Sequence, residues 1–172
     1  MNDSHVRSAQ SSRTVQIAPV RKSVVVECAP LRAFDLFTSG IDRWWPKSHS
    51  LSSSPLRHSV IEPRVGGRWY TTHDDGTECV VGHVLQWQPG ERFVVTWEIG
   101  AGWKPDSRAQ FASEVEVRFS EPSAGRTLVE LEHRDFERMA DDAGATMRGA
   151  VDSEGGWSAL LGLFAKEAST GR

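Results

Sequence analysis

Three segments alternate strictly between the two faces of a strand, and a single amphipathic stretch is long enough to cover the face they share. Within 92–99, Phe93, Val95, Trp97 and Ile99 alternate with Arg92, Val94, Thr96 and Glu98. Within 111–119, Phe111, Ser113, Val115, Val117 and Phe119 alternate with Glu114, Glu116 and Arg118. Within 127–134, Val129, Leu131 and His133 oppose Leu128, Glu130 and Glu132. A period of two with one apolar and one charged side describes antiparallel strands that are wet on one face only. The stretch GGWSALLGLF at 155–164 has a different period: Trp157, Leu160, Leu161 and Phe164 fall at i, i+3, i+4 and i+7, one stripe of a helix. A helix over about 147–168 is therefore the element that must cover the sheet.

The rest of the chain fits around that pair. A strand ends in Val24-Val25-Val26, and Pro30, tolerated at a first helical position, opens a short helix. Gly40 breaks this helix, and Ile41–Trp45 form one more short turn before Pro46. The segment PKSHSLSSSPL at 46–56 holds five serines and two prolines and reads as a loop. Strands over 57–62, 67–73 and 77–88 follow, the last two joined through Asp74-Asp75-Gly76. The strand 77–88 is apolar on both faces, so its inward residues cannot be assigned. One strand, two short helices, six strands and a long helix make an α+β domain. That domain spans 14–172, behind a polar, serine-rich tail at 1–13 expected to be disordered.

Three glycines in the final helix need a reason, because each costs about 1 kcal/mol relative to alanine. The expectation is a continuous helix with Gly156 at its closest approach to the sheet, where a Cβ would be in the way. The alternative is a helix that begins at Trp157, with Gly155-Gly156 as the loop before it.

Charge and cysteine usage exclude several functions. The formal net charge is −3, and no basic run exceeds Arg21-Lys22. Nucleic acid is therefore not an expected partner. Cys28 and Cys79 form no CxxC and are expected as buried, reduced thiols. No apolar run approaches the ~20 residues that cross a bilayer, and the N-terminus lacks a secretory apolar core, so the expected location is cytoplasmic. The six histidines stand at 5, 49, 58, 73, 83 and 133 with no HxH, HExxH or Cys/His cluster, so neither metal nor cofactor is expected. No GxSxG elbow marks a nucleophile, and no catalytic residue is assigned.

Six segments in this order resemble a known family: RWW at 43–45, RVGGRWY at 64–70, GHVL at 82–85, PGERFVVTW at 89–97, TLVELEH at 127–133 and GGWSALLGLF at 155–164. They are similar to bacterial domains like the C-terminal domain of the heat-shock-protein-90 ATPase activator, within the START-like (SRPBCC) superfamily. The resemblance covers about residues 15–168. It implies a helix-grip fold, that of the birch pollen allergen, with a seven-stranded antiparallel sheet curved around the C-terminal helix and an apolar cavity between them. It does not imply one function, because the superfamily includes lipid carriers, polyketide cyclases, oxygenase domains and co-chaperones.

Large aromatics with few polar groups describe a small-molecule pocket, and equally an ordinary core. The candidates for ligand contact are Trp44, Trp69, Trp97, Phe111, His133, Trp157 and Leu161. His133 has two readings: a ligand-binding or proton-transferring imidazole, or a core histidine hydrogen-bonded to the long helix. Trp103, in a glycine-rich loop, is either a lid or a partner contact. The expected function is hydrophobic small-molecule binding in a monomer or homodimer. The alternatives are a co-chaperone-like protein-interaction module and a cyclase or hydrolase acting on a hydrophobic substrate.

Overall fold

The computed structural model describes residues 15–170; the tail read at 1–13 lies outside them. Seven antiparallel strands form one curled sheet in the order β1-β7-β6-β5-β4-β3-β2. They are β1 (Val20–Val26), β2 (Leu56–Ile61), β3 (Arg68–His73), β4 (Glu78–Gln88), β5 (Arg92–Trp97), β6 (Ser113–Ser123) and β7 (Arg126–Arg134). After β1 come α1 (Pro30–Phe37) and a 3-10 turn, Ile41–Arg43; α2 (Gly144–Asp152) and α3 (Trp157–Thr170) close the chain. Beyond short-range hairpin pairing, β1 returns to join the last strand, with Val24 opposite Val129 and Val20 opposite His133.

Alternation places the residues on β5, β6 and β7 as the sequence suggests. Phe93, Val95, Trp97, Val115, Val117, Val129 and Leu131 are all buried. On the opposite face Glu116 lies beneath Arg92, Arg118 and Arg134 and pairs with all three. Burial opposes its ionisation, but the three guanidinium groups outweigh burial and hold its carboxyl at about 2. β4 explains its own ambiguity. Its pairing slips between Trp69 and Tyr70 on one side and between Val84 and Gln86 on the other, so no single alternation runs through it. A Cβ at Gly82 would lie 1.7 Å from the Thr96 carbonyl oxygen, so this bulge, which bends the sheet, admits only glycine.

The final helix is not continuous. α2 ends at Asp152, a turn occupies Ser153–Gly156, and α3 begins at Trp157. The apolar positions show why. Val151 and Trp157 are six residues apart, about 240° around an unbroken helix, so they would face different ways. The break lets Met147 and Val151 on α2 and Trp157, Leu160, Leu161 and Phe164 on α3 all point into one core. Gly156 does mark a close approach, but to its own chain and not to the sheet. A Cβ there would stand 2.1 Å from the Val151 carbonyl oxygen. Gly162 is exposed on α3, and a Cβ added to it would meet nothing within 4 Å.

Phe111 also departs from expectation. It belongs to a 3-10 turn, Ala109–Phe111, ahead of β6, where the Arg108 guanidinium lies 4.5 Å from its ring centre. The period of two reaches Phe111 only by coincidence, because the strand has not yet begun. Both thiols are free; Cys28 is buried as expected, whereas Cys79 is only half-buried.

The glycines at 156 and 162 should respond in opposite directions. Gly156→Leu forces a side chain onto a backbone carbonyl and should destabilise by about 1–3 kcal/mol. Gly162→Ala meets open space on a helix and should stabilise by up to about 1 kcal/mol. Urea unfolding of both variants checks this pair; equal midpoints would show that the Val151 contact relaxes freely.

Candidate functional site

Four tryptophans close a ring where α3 enters the sheet. Trp45 follows the 3-10 turn after α1, Trp69 comes from β3, Trp97 from β5, and Trp157 opens α3. Successive ring centres are 5.1 Å (Trp45–Trp69), 6.0 Å (Trp69–Trp97), 5.7 Å (Trp97–Trp157) and 6.3 Å (Trp157–Trp45) apart. All four contacts are edge-to-face, the arrangement that the ring quadrupoles favour.

His133 buttresses this ring from β7. Trp157 Nε1–H donates to His133 Nδ1 at 3.1 Å. An indole nitrogen can only donate, so Nδ1 is the acceptor and the imidazole proton sits on Nε2. Nε2 then donates to Ser113 Oγ, 2.9 Å away. The histidine is wholly buried, and desolvation lowers its pKa to about 3. Of its two readings the structure shows the second: a neutral core histidine tied to the final helix.

A cleft of about 400 Å³ opens on one side of the tryptophan ring. Trp45, Trp97 and Trp157 contribute to its wall, with Leu51, Val81, Ile99, Val151 and Leu160 around them. Trp103 stands at the rim, 46% exposed, with a φ of 61° that is uncommon for a bulky residue. The serine-rich loop supplies Ser48, His49 and Ser50, and the α2–α3 turn supplies Ser153, Gly155 and Gly156. None of the lining residues is Asp, Glu, Lys or Arg. Trp97 Nε1 is closed to solvent and has no hydrogen-bond partner.

Asp42 secures the loop at its base. It accepts from Lys47 Nζ at 2.8 Å and from the Ser59 backbone N–H at 2.9 Å, and His58 Nδ1 lies 2.8 Å away. Burial opposes ionisation of Asp42, yet these partners hold its carboxyl at about 2. The far end is pinned by the Asp75 N–H donating to Ser54 Oγ.

Of the seven residues named from sequence, Trp97 and Trp157 line the cleft. Trp69 and Trp44 are buried behind it, their indole N–H groups spent on Ser59 Oγ and the Leu36 carbonyl. His133 and Leu161 are core residues, and Phe111 lies on the turn before β6. Sequence reasoning misses Trp45, His49, Val151 and Leu160. Trp45 and Leu160 each sit beside a named candidate, but a 3-10 turn has no clear face and a stripe does not say which of its residues meet a void. His49 comes from a loop without periodicity, so nothing in the sequence aims its side chain.

A family model described as activator of Hsp90 ATPase homolog 1-like protein matches residues 27–168. The chain belongs to this family. Among solved structures, this family member is similar to the anthrahydroquino-γ-pyrone synthase Txn09, determined in complex with a ligand. The two are 38% identical, with 88% of this chain and 97% of that chain covered and a TM-score of 0.62. It is also similar to CalC, a self-sacrificing resistance protein from Micromonospora echinospora. There the identity is 25%, coverage 88% and 94%, and the TM-score 0.62. Protein NE0264 from Nitrosomonas europaea, at 12% identity, 90% and 96% coverage and a TM-score of 0.63, shares the fold. No curated protein matches. Among the described residues no helix is long and apolar enough to cross a membrane.

The depressed His133 pKa makes stability depend on pH. Above the ordinary value of 6.5 the imidazole is neutral both folded and unfolded, and contributes no slope. Below 6.5 the unfolded chain binds a proton that the folded chain refuses until about pH 3. Folding should therefore weaken as pH falls from 6.5 to 5, by up to about 1.4 kcal/mol per unit from this residue. His49, whose pKa is also lowered by desolvation, adds in the same direction. Urea titrations across that window should show the slope shrink in His133→Asn, which keeps an acceptor for Trp157 but cannot titrate.

Proposed function

We propose that this protein binds an uncharged, flat aromatic molecule of the polyketide type in the cleft beside the tryptophan ring. The observation that carries this reading is the cleft's chemistry: four tryptophans and six aliphatic side chains with no carboxylate, ammonium or guanidinium among the lining residues. Its volume of about 400 Å³ lies within the roughly 300–1,000 Å³ of small-molecule sites. Such walls gain by burying a planar apolar ring and would leave a charged group unpaired. The 38% identity to a synthase of anthrahydroquino-γ-pyrones supports a polycyclic aromatic ligand.

The same likeness favours a second reading, in which the bound aromatic is not merely carried but closed into a further ring, as by a cyclase. The co-chaperone alternative has the family description as its support.

Tryptophan emission tests the binding reading directly, because four of the seven indoles line the cleft. Titration with 1,8-dihydroxyanthraquinone, neutral at pH 7, should quench emission saturably, whereas laurate, with its carboxylate, should not. Ala150 lines the cleft from α2, and Ala150→Phe should fill it. That variant should fold like the wild type but bind at least tenfold more weakly. At a ligand concentration of 100 times Kd the wild type should gain about 2.7 kcal/mol. Unsaturable quenching, or undiminished binding by Ala150→Phe, would overturn the reading.

A further inference from the structure

The geometry points to His49 as the residue that selects the ligand: its imidazole accepts the hydroxyl proton of a phenolic ring seated in the cleft. The site then prefers hydroxylated aromatics to analogues whose oxygen is capped. This inference rests on the cleft being the ligand site.

His49 is the one titratable side chain on the cleft wall. Its situation also differs from that of every other described histidine. His58 is held by Asp42 at 2.8 Å, His83 by Glu98 at 2.6 Å, and His73 lies 3.2 Å from the Thr77 carbonyl. His133 is engaged at both nitrogens. Among the described histidines, the His49 ring alone makes no hydrogen bond or ion pair with the protein.

The ring is nevertheless placed. It packs edge-on against Trp45, with centres 6.0 Å apart and planes at 86°, beside the tryptophan floor. Its backbone N–H donates to the Pro46 carbonyl, and Lys47 ties the same turn to Asp42. The other polar side chains of the cleft are largely occupied. Ser50 Oγ donates to the Ser52 or Ser54 carbonyl, Ser153 Oγ to the Ala150 carbonyl, and Thr71 Oγ1 to the Cys79 carbonyl. That leaves Ser48, the neighbour of His49, as the remaining lining hydroxyl on the loop.

The chemistry follows from the imidazole's neutral form. One of its nitrogens carries a lone pair, and a phenol O–H is a better donor than an alcohol and stays protonated at pH 7. Desolvation by the cleft wall lowers the His49 pKa, which keeps that lone pair available at neutral pH. A methyl ether of the same ring keeps the shape and the apolar surface but cannot donate.

Calorimetric titration of the full chain at pH 7.5 with 2-naphthol and with 2-methoxynaphthalene isolates this term. The wild type should bind 2-naphthol roughly five- to tenfold more tightly than its ether, the range of one net hydrogen bond. His49→Leu should bind both equally, with the ether's affinity unchanged. His49→Gln, which retains an acceptor, should recover part of the preference, and Ser48→Ala should keep all of it. Equal binding of both ligands by the wild type, or a preference that survives in His49→Leu or vanishes in Ser48→Ala, would overturn the role of His49 and leave the cleft reading intact. Failure of the wild type to bind either ligand would overturn the cleft reading and the role of His49 with it.

Discussion

The hydrogen bond from Trp157 to His133 joins the first residue of α3 to the end of β7, one strand in from the edge of the sheet, and much of the molecule is arranged around it. α3 can cover the concave face only if its start is fixed, and its start follows a turn containing Gly155 and Gly156. A wholly buried imidazole with a determined tautomer, backed by Ser113, supplies that fixed point. Trp45 and Trp97 then pack on Trp157, and Trp69 bridges those two, so that the strands, the helix and the segment after α1 share one aromatic junction. Breaking the bond would strand a donor and an acceptor in a dry core, which costs more than the bond's net contribution.

Curvature is the second requirement. A flat sheet would not wrap a helix, and β4 bends because it carries bulges on both edges and a glycine pressed against the Thr96 carbonyl. The convex face is held by charge and not by packing. Glu116, nearly inaccessible, is paired with three arginines, one from its own strand and one from each strand beside it, so its ionised form is the stable one throughout the physiological range.

The cleft arises where these two devices meet an irregular segment. The sheet supplies a curved floor, the α2–α3 break opens a gap beside it, and the serine-rich loop closes over that gap from a base fixed at Asp42. A continuous helix in place of the break would carry Val151 away from the core and leave no mouth at this position. The turn that breaks a helix rule is thus also what gives the site access to solvent.

The sequence by itself determined the architecture. The period-two alternation of β5, β6 and β7 and the stripe from Trp157 to Phe164 are local properties, set by which side of a pleat or helix each residue occupies, and they survive folding unchanged. The burial of Trp69, Trp97, Trp157 and His133 was legible for the same reason. Only the tertiary structure decided the rest: that the last helix breaks at Ser153, that Phe111 precedes its strand, and that Trp45 and His49 face a cleft while Trp44 and Leu161 do not. Each of these depends on how separate elements meet, through a carbonyl 2.1 Å from a missing Cβ or a loop pinned to the Asp75 backbone 21 residues away. Periodicity assigns a residue to a face; whether that face meets a neighbour or an empty space is set by elements far away in the chain.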